Sequence, residues 1–258
     1  MRKSICWGVA LVLAGWTMVA GPSAHANPSG PVPLVPAALP GDPSDVQLQV
    51  GQLDFWVASC SLTVAGVTTQ DCSGLQLASG GSSVTSASVV ISSATPGGHI
   101  LDIPASDIPI GDNTYDLSVM LDVQTVACTN NPNDCSAGGI RSDAISLTGS
   151  VSPSSDDQFL TAGETITLAD GTTLPPISAA LGSPAVAKFS GQPFVVVEKD
   201  IGDQLNSITG PVSGPVLIDT VTQQFGLVPE PTSIAVFMVS LAALGVARRR
   251  SIRVARPS

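Results

Sequence analysis

From Asp45 onward the chain alternates apolar and polar residues with a period of two, and nothing else in it limits the fold as strongly. Tyr115, Leu117, Val119, Leu121 and Val123 interleave with Asp116, Ser118, Met120, Asp122 and Gln124, the pattern of a strand with one buried face. Val46-Leu48-Val50 repeats it, as does Ile145-Leu147 with Ser146, Thr148 and Ser150 on the other side. Shorter runs at Leu62-Val64, Val89-Ile91, Ile166-Leu168, Phe194-Val197 and Val216-Ile218 are divided by Gly, Pro, Asn and Asp clusters. Between Asp45 and Gly226 no stretch shows a charged period of 3.6 residues. Asp outnumbers Glu seventeen to three, which suits turns rather than helix surfaces. The expected fold is therefore all-β, a single β-sandwich-like domain over residues 45–226. No internal repeat points to a solenoid or propeller.

Charge is distributed unevenly. Arg2 and Lys3 stand at the start, Arg248, Arg249, Arg250, Arg253 and Arg256 near the end, and Arg141, Lys188 and Lys199 between them. Residues 27–228 thus hold 3 basic and 19 acidic side chains, a formal charge of −16. A body this acidic repels phosphate backbones and anionic lipid, so no nucleic-acid partner is expected.

The N-terminal residues read as an address. Arg2-Lys3 is a short positive region, Ile5 to Ala20 is apolar and uncharged, and Ala24-His25-Ala26 supplies small residues at the positions signal peptidase accepts. Residues 1–26 are expected to be a signal peptide cleaved after Ala26. Cys6 lies inside the apolar run rather than after it, which argues against a lipoprotein signal. Residues 27–44 hold six prolines and read as a semi-rigid, extended linker.

The C-terminal residues, 228–258, have three parts. Val228-Pro229-Glu230-Pro231-Thr232 comes first, then the apolar or small run Ser233 to Ala247, then Arg248-Arg249-Arg250. Fifteen helical residues reach about 22 Å, short of a ~30 Å hydrocarbon core, so the segment suits a transient hold in the membrane. The arginines belong on the cytoplasmic side, which puts the acidic body outside. In its three parts and their order this ending resembles the PEP-CTERM sorting signal of exopolysaccharide-producing Gram-negative bacteria. The resemblance covers about the last 31 residues. It implies that an exosortase-type membrane protease processes the chain at the inner membrane and passes the body to the cell surface or extracellular matrix.

Four cysteines follow the leader: Cys60, Cys72, Cys128 and Cys135. An even count in an exported chain reads as two disulfides, and of three pairings proximity favours Cys60–Cys72 and Cys128–Cys135. Zinc is the competing reading, but neither pair has Cys-x-x-Cys spacing. Oxygen-rich turns suit calcium, above all at Asp112, Asn113 and Asp116, although none matches an EF-hand and such clusters are ordinary turn chemistry. His99 is the lone histidine after residue 26, with Asp102 or Asp107 as its expected orienter in any hydrolase, and there is no Gly-x-Ser-x-Gly elbow. Nineteen carboxylates single out no acid–base pair. No catalytic residue, resident metal or cofactor is therefore expected. Trp56 is the candidate sugar-stacking platform, against the commoner role of a core tryptophan. The expected function is that of an exported structural or interaction protein of the surface or biofilm matrix. The alternative is a polysaccharide- or calcium-binding module, with a secreted hydrolase behind both.

Overall fold

The alternation is realised as fourteen strands in a computed structural model that describes residues 30–105, 115–130, 139–151, 161–202 and 214–228. In chain order they are β1 (Val32–Pro33), β2 (Leu48–Val50), β3 (Leu53–Val64), β4 (Val67–Thr69), β5 (Leu75–Ser83), β6 (Ser86–Ser93) and β7 (Leu101–Ile103). Next come β8 (Asp116–Thr125), β9 (Gly139–Ser150), β10 (Thr161–Leu168), β11 (Ile177–Ala180), β12 (Ala185–Gln192), β13 (Phe194–Ile201) and β14 (Val216–Val228). One short helix, α1 (Val126–Asn130), follows β8.

The strands form two seven-stranded sheets. The first runs β1-β5-β6-β14-β9-β12, with β7 continuing alongside β14 where β6 ends. The second runs β11-β10-β13-β8-β3-β2, with β4 on the far end of β3. All pairings among the described strands are antiparallel. The two sheets pack face to face, so the expected β-sandwich-like architecture is what forms. In β8 the residues Leu117, Val119, Leu121 and Val123 face the core, as their alternation requires. The rings of Phe55 on β3 and Phe225 on β14 meet across the sheets at 5.7 Å.

The proline-rich segment departs from expectation. Rather than a spacer, from Gly30 onward it straps one side of the sandwich. Val32–Pro33 pairs with β5, Leu34 is fully buried, and its N–H donates to the Leu75 carbonyl at 2.9 Å. Ala37 N–H then donates to Val57 O on β3 at 2.8 Å. The Gln47 side chain continues the ladder by accepting from Val57 N–H at 2.6 Å and donating to Val35 O at 2.8 Å. Proline lacks a donor but is tolerated on an edge strand, so prolines spaced by Val32 and Leu34 can line an edge while those side chains fill the core. The sheets accordingly begin at Val32 and end at Val228, slightly outside the 45–226 expected.

A two-residue turn joins β3 to β4. Val64 faces Val67, and Ala65 and Gly66 between them both have positive φ, 51° and 77°. This is the left-handed pair that matches the twist of a tight hairpin. Gly66 adopts it without cost and Ala65 does not.

Candidate functional site

Four strands each place one polar side chain where the alternation calls for an apolar one. On β10, Glu164 shares the inward face with Ala162 and Ile166; on β13, Lys199 shares it with Val197 and Ile201. On β9, Asp143 stands in line with Ile145 and Leu147; on β14, Gln223 lies between Val221 and Phe225. All four are buried, Lys199 and Asp143 completely. Glu164 and Lys199 are directly opposite one another in the second sheet, whereas Asp143 and Gln223 come from the first. The cluster therefore bridges the sheets inside an otherwise apolar core.

Its contacts are specific. Lys199 Nζ donates to Glu164 Oε2. Gln223 Nε2 donates to the same oxygen at 3.0 Å and also to Asp143 Oδ2. Burial pushes the Asp143 carboxyl well above the usual carboxylate range; the charge of Glu164 adds to this, and Lys199 opposes it. The carboxyls of Asp143 and Glu164 thus converge on one amide nitrogen. Asp143 Oδ1 and Glu164 Oε1 receive no protein donor among the described residues. Sequence reading overlooked the cluster, although its signal was present as four polar residues at inward-facing positions.

His99 also has a partner that sequence reading did not choose. Its Nδ1 lies 2.5 Å from Oδ1 of Asp219, both side chains being partly exposed. Asp219 sits where β14 bulges against β9, between Ile218 and Thr220, which turns it and Thr220 to the same outer face. Asp102 is exposed on β7 and Asp107 lies outside the described residues. Among the described residues no hydroxyl hydrogen-bonds to His99.

Trp56 is not a surface platform. It is fully buried on the face of β3 opposite Phe55, and its indole N–H donates to the Asp42 carbonyl of the strap at 3.2 Å. Phe55, Phe225 and Tyr115 are buried in the core. Phe194 at 38% exposure is the open aromatic among the described residues. It borders a hollow of about 340 Å³ with Asp122, Gln124, Pro193 and Gly41. Desolvation raises the Asp122 carboxyl above its ordinary range.

Cys60 and Cys72 form a disulfide with Cα atoms 6.2 Å apart. Cys128 is disulfide-bonded as well, while Cys135, its expected partner, lies outside the described residues. Of the calcium candidates Asp116 opens β8, whereas Asp112 and Asn113 lie outside the described residues. Among the described residues no group of three or more His, Cys, Asp or Glu side chains is arranged to hold a metal. Ala24, Ala26, Pro229, Glu230, Pro231, Arg248, Arg249 and Arg250 also lie outside them, and Val228 is the last residue of β14. No helix among the described residues is long and apolar enough to cross a membrane.

No protein-family model matches the chain. No curated protein matches it either.

Proposed function

We propose that this is an exported structural protein of the cell surface or extracellular matrix, delivered by exosortase-type processing in an exopolysaccharide-producing Gram-negative bacterium. The observation that carries the reading is the three-part ending, with Pro229-Glu230-Pro231 following directly on β14. A pull on that end would load β14, which is hydrogen-bonded to β9 on one side and to β6 and β7 on the other. The body suits the role. Its disulfides fit an oxidising exterior. The outer face of the first sheet presents Ser88, Ser146, Thr148, Thr220 and Thr222, hydroxyls that hydrogen-bond water or sugar without fixed charge. Deleting the chain from its host should soften the matrix at equal polymer yield, with stiffness restored by the full chain but not by one lacking residues 229–258. A matrix unchanged by the deletion would refute the structural role.

A second reading, a polysaccharide-binding module, is favoured by the hollow where exposed Phe194 adjoins Asp122 and Gln124. It predicts that Phe194→Ala weakens retention on the host's polymer while leaving the fold intact. Equal retention of the two proteins would refute it.

A further inference from the structure

The buried cluster has the composition of a reaction as well as of an ion pair. A primary amine touches a carboxylate, a second carboxyl shares an amide donor with the first, and that donor is aimed at the contact oxygen. An ion pair so deeply buried is poorly compensated for its lost hydration, and replacing both charges by one neutral amide removes that penalty. We infer that Lys199 and Glu164 are joined by an intramolecular isopeptide bond between Nζ and Cδ, formed autocatalytically with Asp143 as the proton shuttle.

The geometry fits each step. Glu164 and Lys199 are register partners on adjacent strands, so their side chains leave the same face and converge without backbone movement. Proton transfer within the pair gives an amine and a carboxylic acid, the neutral forms a dry core favours. The Nζ lone pair adds to Cδ, the C–N bond forms, and charge moves onto Oε2. The Gln223 Nε2–H, 3.0 Å from Oε2, meets that charge. Oε1, which receives no donor among the described residues, carries the proton that Glu164 gained, takes a second from Asp143, and departs as water as its C–O bond breaks. Asp143 then recovers a proton from Nζ. The sum is amine plus carboxylic acid to secondary amide plus water. No electrons enter or leave, so no oxidant, reductant or co-reactant is needed. The product staples β10 to β13 inside the sandwich, and reducing agents do not open it. This inference is independent of how the chain is sorted.

Intact-mass measurement on the purified full chain tests it without a mutation. The expected mass is short by one water beyond the hydrogens lost to disulfides. After denaturation and reduction, trypsin should fail to cut after Lys199, and residues 142–188 should remain attached to the peptide that begins at Phe189. Fragmentation should map the link to Glu164. Lys199→Arg should restore the water to the mass. Asp143→Asn, a near-isosteric change, should slow the loss about a hundredfold or more while circular dichroism remains that of a β fold. An unmodified mass with free cleavage after Lys199 would overturn the inference and leave a buried ion pair. A link mapped to Asp143 would overturn the assignment of Glu164 as acyl partner, and an undiminished rate in Asp143→Asn would remove the proton shuttle.

Discussion

Leu34→Ala separates a strap from a spacer. A leucine in an extended linker is exposed, and truncating it changes stability by no more than about 0.5 kcal/mol. Leu34 is instead fully buried among Leu75, Leu77 and the rest of the core, with its N–H fixed to the Leu75 carbonyl at 2.9 Å. Removing its isobutyl group forfeits the transfer free energy of the lost carbons and leaves a cavity, together about 2–5 kcal/mol. The site is at an edge, where Val32 can relax towards the gap, so the lower half of that range is expected, about 2–3 kcal/mol. For a domain of this size that is roughly 4–12 °C in Tm. Urea unfolding followed by the emission of Trp56 is the assay, because the same strap covers that indole. Leu39→Ala is the matched control: Leu39 belongs to the same segment but is 58% exposed, and its loss should be nearly silent. Equal, small effects at both positions would refute the strap.

Three further outcomes follow from the same structure. Replacing Cys60 and Cys72 together by Ala frees a loop with a sequence separation of 12, and chain entropy puts the loss at about 3 kcal/mol, measurable as a lower urea midpoint. Ala65→Asn puts a residue that tolerates positive φ at the hairpin turn and should raise stability by up to about 1 kcal/mol; a decrease would mean that the turn is not the left-handed pair described. Asp143 holds its proton in the folded state above the ordinary aspartate value of 3.8, whereas the unfolded state releases it. Stability should therefore rise as pH is lowered through the raised folded-state value towards 3.8, by at most about 1.4 kcal/mol per pH unit, and Asp143→Asn should abolish that slope. Asp42, Asp71 and Asp170 are shifted the other way by hydrogen bonds from Ser44, Ser73 and Thr172, so their contributions fade only at lower pH and do not mask it.

The strands were readable wherever one face alone is apolar. Leu117 to Val123 alternates without a break, and β8 follows it residue for residue. The strap was not readable, because proline content reports backbone stiffness and says nothing about whether the residues between prolines find a sheet edge. Nor was β5 clear, since Ser79-Gly80-Gly81-Ser82-Ser83 offers turn residues that pair with β6 only through a register shift at Ser79 and Gly81. The buried cluster lay half in view. Alternation alone points Asp143, Glu164, Lys199 and Gln223 inward, yet only the pairing of β9 with β14 and of β10 with β13 brings them to one place. His99 and Asp219 are 120 residues apart, and a bulge rather than a motif joins them.

The central claim is that the chain is trimmed at both ends and that its β body is delivered outside. Intact mass and location of the product, compared in hosts with and without the exosortase, test this most directly. The account predicts a body that begins at Asn27 and ends near Pro229, released or surface-bound only when the protease is present. A full-length chain held in the membrane of both hosts would contradict it.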